Sequence, residues 1–263
     1  MRRKHLISIG LMLVLLVVLT GMAWLKEADT YSDSERRVLA QFPKLSVETI
    51  INGEFMGGFE TYAQDQFPLR EVFRRLKSRV VYHVLMQKDN NDIYIVDRHA
   101  SKMEYPLNEA MLEHAADVFG EVYDMYLKGN GGNAYFSIIP DKNYYLAEEN
   151  GYLELDYEKL IMLMREKTSF MEYVDITETL DLEDYYFTDT HWRQENLLDT
   201  AKVLADAMGG FVGTGFKEQE LEIPFYGVYF GQSALPLEPD TIRYLINKTL
   251  EACKVTCFDK GTG

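Results

Sequence analysis

Cysteine is nearly absent: Cys253 and Cys257 are the only two in 263 residues. That excludes a disulfide-stapled scaffold, and with five histidines the pair makes no zinc pattern. Basic charge is also scarce, with 27 Lys and Arg against 42 Asp and Glu and a net charge of −15. Arg2, Arg3 and Lys4 are clustered at the start, so the remainder is more acidic still. Such a surface repels phosphate backbones, and no nucleic-acid partner is expected. A phosphate-cradling loop is missing too, because GNGGN at 129–133 ends a helix and leads into a strand, the reverse of the P-loop order. No metal or cofactor is expected. What remains, 47% hydrophobic and 26% charged, is the composition of a folded protein of one large or two small domains.

One long apolar run is present. Residues 6–25 (LISIGLMLVLLVVLTGMAWL) carry no charge. About 20 residues at ~1.5 Å each span roughly the 30 Å hydrocarbon core of a bilayer. Three bases precede the run and Trp24 stands at its far end, so the positive-inside rule keeps the N-terminus cytoplasmic and sends the rest outside. A cleaved signal peptide is the competing reading. The run is longer than an ordinary signal core, and no small-x-small site follows it. The expected layout is a cytoplasmic tail at 1–5, a transmembrane signal anchor at 6–25, a stalk and helical segment at 26–90, and a partial α/β domain at 91–263. The segment CKVTC at 253–257 reads as a strand, where a local disulfide would require the backbone to bend.

Past the polar stretch 29–44, Ser46 caps a helix running toward Tyr62, and 70–86 is helical with its arginines read as a solvated face. Residues 88–91 form a turn and 92–96 a strand. Further helices are predicted over 108–128, 156–167 and 193–208, the last stopped by Gly209 and Gly210. Asp240 is expected to cap a final helix to Ala252. Strands are expected at 134–139, 170–176 and 254–258. This alternation predicts an α/β fold with a parallel sheet covered by helices on both faces.

The stretch YYFTDTHW at 185–192 carries the chemistry. Asp189 and His191 stand two apart before a helix, and in extended backbone such side chains point the same way. A carboxylate can then hold an imidazole by one nitrogen while the other faces a reaction partner, the orienting half of a Ser–His–Asp system. A second Asp-x-His, Asp97 and His99, follows a strand, so spacing alone does not single out the first pair.

The surrounding residues add to it. An aromatic pair, Thr188, Asp189, His191 and Trp192 resemble the signature of the bacterial DHHW proteins. These are relatives of the SGNH-hydrolase-like alginate O-acetyltransferases of the AlgX/AlgJ type. Ser34, Glu35, Arg37, Leu39, Phe42 and Pro43 resemble the family's N-terminal element, with Arg36 where Asn is usual. Tyr62, Asp65, Phe67, Pro68 and Arg70 resemble a second element, and Ile139 to Lys142 a strand-end third. Phe225 to Ser233, followed by Asp240, Thr241 and Ile242, resembles the last. Asn196 and Leu197 replace the family's usual Gly-Ala. The resemblance implies a three-layer α/β/α SGNH-like domain, incomplete at its C-terminus, with Asp189 and His191 catalytic and Lys142 and Trp192 lining the substrate site.

In that family the serine follows the Asp-x-His in a later block, and none appears before Gly263. Ser233 superficially resembles a nucleophile elbow but lacks the second glycine; Ser137 reads as a core or lining hydroxyl. The chain is therefore expected to be an incomplete piece, inactive alone, of an acyl-transfer enzyme. Its partners would be a cell-envelope polysaccharide and an acyl donor, with the bilayer held through 6–25. The alternative is a non-catalytic envelope scaffold or glycan-binding protein.

Overall fold

The computed structural model describes residues 2–256. Two compact units are present: Met1–Asn91 with Gly231–Pro236, and Asp92–Phe230 with Leu237–Gly263.

The first unit begins with the helix Arg2–Leu25. Its stretch Lys4–Leu25 has a mean hydropathy of 2.7, long and apolar enough to cross a membrane. The next residues, expected as a stalk, are folded: Tyr31–Ser32 pairs antiparallel with Arg37–Val38. Ser46 caps the helix Val47–Ile51 in a reciprocal box with Thr49. The single helix expected from Ser46 to Tyr62 is broken at Gly53, whose φ of 83° is a left-handed value that glycine adopts without steric cost. A second helix, Glu54–Asp65, restarts there.

Arg70–Arg79 is helical as expected and continues as a π-helical turn, Val80–Val84. Its arginines are not the solvated face that their spacing suggested. Arg70 bonds Glu35 at 2.5 Å, and Arg74 bonds Glu71 and the carbonyl oxygen of Gly231. Arg37 grips Asp65 through both nitrogens, at 2.5 and 2.9 Å, and the Ala40 N–H adds a third bond to that carboxylate. These partners join the two N-terminal elements of the motif set, Ser34–Arg37 and Tyr62–Arg70. A charge left unpaired inside would cost several kcal/mol, which is why each buried acid here has an arginine.

In the second unit, Ile93–Val96 pairs with His99–Lys102 in a hairpin. Its two turn residues, Asp97 and Arg98, both have positive φ, the backbone a two-residue hairpin turn requires. Tyr135–Phe136 pairs parallel with Glu172–Tyr173, and the helices Lys142–Asn150 and Tyr157–Lys167 lie between them in sequence. Both strands are shorter than the apolar runs at 134–139 and 170–176 suggested. The remaining ladder is antiparallel, Lys217–Phe225 with Asp240–Ile246. Asp240 thus opens a strand instead of capping a helix; the last helix is Lys248–Ala252, capped by Asn247. The architecture is mixed α/β with small sheets. Two apolar clusters sit in this unit, one around Ile93, Ala100 and Tyr229, the other around Val174, Ile176 and Leu180. Cys253 follows the last helix without forming a strand, and residues 254–256 of the strand expected at 254–258 form none either, while Cys257 and Phe258 lie outside the described residues.

Candidate active site

The candidate site is a loop closed at its base. Tyr185 and Trp192 form an antiparallel bridge, and the Tyr186 N–H donates to the His191 carbonyl at 3.1 Å. Within the loop, Asp189 is completely buried while the His191 side chain is 75% exposed. His191 Nδ1 lies 2.6 Å from Asp189 Oδ1, and the His191 backbone N–H donates to the same oxygen at 3.1 Å. The other oxygen accepts the Val228 N–H at 2.7 Å.

Burial by itself would raise the Asp189 carboxyl. The bonds from the His191 ring and from the backbone N–H groups of Val228 and His191 outweigh it, and Asp189 is held below the usual carboxylate range. An ionised carboxylate only accepts hydrogen bonds, so Nδ1 carries a proton, and in the neutral ring Nε2 is the nitrogen left with a lone pair. That is the tautomer a general base requires.

The loop is neither helix nor strand, yet every backbone polar group from Tyr186 to Thr188 has a partner. Lys142 Nζ donates to the carbonyls of Tyr186 at 2.8 Å and Phe187 at 3.1 Å. Asp240 accepts the N–H groups of Phe187 at 2.7 Å and Thr188 at 2.8 Å, together with the Thr188 hydroxyl at 2.5 Å. The Ala100 N–H reaches the Phe187 carbonyl, and the Tyr229 N–H reaches that of Thr188. A buried loop would otherwise pay the desolvation cost of each of these groups. Gly227 completes the bed: a Cβ there would lie 2.3 Å from the Thr188 carbonyl oxygen and 2.5 Å from Asp189 Cβ. Only glycine permits that approach.

Lys142 was expected to line the substrate site. The structure places it beneath the loop, 2% exposed, out of reach of a dissolved ligand. Burial pushes its ammonium down to about 7, against the opposing pull of Asp240, Asp189 and Asp141. Its site within the fold follows from the local sequence. Pro140 ends the strand region, Asp141 caps the next helix by accepting the Tyr144 N–H, and Lys142 is the first residue of that helix.

Trp192 is half-buried, packed on the Val174–Ile176–Leu180 cluster. With Ile139, Pro140, Asp141, Tyr185, Thr190 and His191 it lines a cleft of about 230 Å³. The hydroxyl in that lining nearest His191 in sequence is Thr190; no serine lines the cleft among the described residues. Ser137 donates instead to the Val174 carbonyl, and Ser233 is buried with its hydroxyl accepting the Leu235 N–H.

The second Asp-x-His folds differently. His99 is 1% exposed and its Nδ1 contacts the carbonyl oxygen of Asp97, not the carboxylate. Its Nε2 is buried without a partner among the described residues, and its ring packs on Phe187. Burial, with Lys142 adding to it, lowers its pKa and keeps it neutral. The helix expected from Arg193 starts only at Leu198, after the 3-10 turn Gln194–Asn196. Asn196 ties that turn to the Glu183 carbonyl at 3.1 Å, a bond a glycine at this position would not make.

Asp240 and Gly227 were not singled out as site residues from sequence. The signal available was their place in the two late motif elements, FYGVYFGQS and DTI.

No protein-family model and no curated protein matches the chain. Among solved structures it is similar to a DHHW family protein from Eubacterium siraeum, with 19% identity and a TM-score of 0.48 over 59% of this chain and 53% of that one. It is also similar to PatB1 of Bacillus cereus, with 12% identity and a TM-score of 0.46 over 60% of this chain and 59% of that one. A second structure of PatB1, with a sulfonyl adduct, gives 12% and 0.47. The chain spans between half and three-fifths of the length of these proteins.

Proposed function

We propose that this chain is the anchored, dyad-bearing part of an extracytoplasmic acyl-transfer protein with an SGNH-like three-layer domain. Its target is an ester-linked acyl group, acetyl in the first instance, on a cell-envelope polysaccharide. One observation carries the reading. A fully buried, ionised Asp189 holds Nδ1 of a solvent-exposed His191 at 2.6 Å, beside a cleft. The parallel pair Tyr135–Phe136 with Glu172–Tyr173 and the apolar first helix support the fold and the placement outside the membrane.

In this reading His191 Nε2 takes the proton from a serine hydroxyl as its oxygen bonds to the ester carbonyl carbon. The imidazolium then returns that proton to the departing alkoxide as the ester C–O bond breaks. A sugar hydroxyl or water, deprotonated by the same nitrogen, attacks the acyl-enzyme and frees the serine. Asp189 stays ionised throughout and stabilises the imidazolium. The serine comes from outside the residues that line the cleft.

The test is acetyl release from p-nitrophenyl acetate by a form of the protein that includes the serine-bearing part, and by His191→Ala in that same form. A loss of rate is expected in the variant. Equal rates remove His191 from the mechanism and favour a non-catalytic scaffold.

A further inference from the structure

The first unit carries a concentrated set of bare apolar side chains close in sequence to the anchor. Leu45, Val47, Ile50, Ile51 and Met56 are all exposed, Ile51 at 81% and Val47 at 75%. They are not there for want of a local core. Phe42 sits edge-on to Phe55, Phe59 and Tyr62 at 5.4 to 6.2 Å, so the aromatic faces of this helical pair pack on one another. The aliphatic side chains, with part of Phe42 and Phe59, are what that packing leaves uncovered. Apolar side chains left bare together in one short segment mark a surface that something covers.

What covers it is set by the tether. Asp29 is four residues past the end of the Arg2–Leu25 helix. Its backbone N–H donates to Gln66 Oε1 at 2.9 Å, and its carbonyl accepts from Gln66 at 2.8 Å and from Gln41 at 2.9 Å. Gln66 closes the helix Glu54–Asp65, and Gln41 adjoins Phe42. Four residues of chain reach at most about 14 Å. The bonds at Asp29 therefore hold both ends of the 42–65 segment within a short reach of the point where the apolar helix stops. The charged residues from 42 to 56 are Lys44, Glu48 and Glu54, so attraction to a surface here is apolar and not electrostatic.

We propose that residues 45–56 form a foot that inserts its aliphatic side chains into the headgroup–acyl boundary of the bilayer crossed by the Arg2–Leu25 helix. The inference rests on the reading of that helix as a membrane anchor. Because the anchor keeps the foot near the interface at all times, a few apolar side chains suffice where a free helix would need many.

The experiment uses the full chain with Cys253 and Cys257 replaced by Ser, reconstituted in phosphatidylcholine vesicles. An NBD fluorophore is placed at Ile51→Cys, at Met12→Cys within the apolar helix, or at Met125→Cys, an exposed methionine of the second unit. Nitroxide-labelled lipid is the quencher. Quenching at positions 12 and 51, at least two-fold stronger than at 125, is the expected result. Quenching at 12 with position 51 no different from 125 overturns the foot and leaves the anchor standing. A blue-shifted but unquenched probe at 51 overturns it in favour of a protein partner. No quenching at 12 overturns the anchor itself.

Discussion

Lys142 offers the sharpest test of how the Asp189–His191 loop is held. Its ammonium is buried, and its pKa falls to about 7 from the ordinary lysine value of about 10.4. Below pH 7 both folded and unfolded chains carry the proton, and the folded chain bears the full cost of burying it. Between about 7 and 10.4 the unfolded chain binds the proton that the folded chain has released, so folding stability rises with pH. One proton corresponds to about 1.4 kcal/mol per pH unit, so about 2 kcal/mol accrues from pH 7 to pH 9. The neutral amine still has two N–H groups for the carbonyls of Tyr186 and Phe187. Lys142→Met cannot titrate, and it leaves the Tyr186 carbonyl without this donor at a cost of about 1–3 kcal/mol. The Phe187 carbonyl keeps the Ala100 N–H.

The expected result is a wild-type advantage that grows with pH. Thermal unfolding in detergent, followed at pH 6, 7, 8 and 9, should show the Tm difference widening by roughly 4–8 °C between pH 7 and 9 at ~2–4 °C per kcal/mol. Parallel Tm curves would refute the assignment of a buried, titrating amine beneath the loop.

Two further outcomes follow from the same structure. Gly227→Ala places a methyl 2.3 Å from the Thr188 carbonyl oxygen, and the shift it forces should cost about 1–3 kcal/mol. A urea midpoint equal to wild type would show that the approach is not as close as described. Asp65 is drawn down to about 2 by Arg37, against the cost of its own burial. Its stabilisation is therefore full above the unfolded carboxyl value near 3.9 and is lost as pH falls toward 2. Solvent around Arg37 screens the pair, leaving about 1–2 kcal/mol. Asp65→Asn should accordingly lose stability at pH 6 and little at pH 2, which urea unfolding at the two values will measure.

The elements legible in the sequence were those with strong local signals. Ser46 capped its helix, Asp156 and Asn108 theirs, and the glycines at 209 and 210 stopped another. The parallel order of the strands near 135 and 172 was also legible, because apolar runs flanking helical periodicity require a crossover. What misled was context. Arg70 and Arg74 read as a solvated face because helical spacing records neither Glu35 nor the Gly231 carbonyl, which come from distant parts of the chain. Asp240 before Thr241 looks like a helix cap, yet the residues after it pair with 217–225, and its carboxylate serves a loop some fifty positions earlier.

The two Asp-x-His pairs state the division most directly. Spacing is identical in both, and residue type alone marks each as a carboxylate that can hold an imidazole. That much, with the apolar first helix and the acidic remainder, was determined by the chain's chemistry. Which histidine meets its acid was decided only by tertiary packing. Asp189 is buried under Val228 and Gly227, so its charge must be answered by the groups at hand, and His191 is the one left facing solvent. Asp97 sits exposed in a hairpin turn, and His99 is drawn into the interior without its carboxylate.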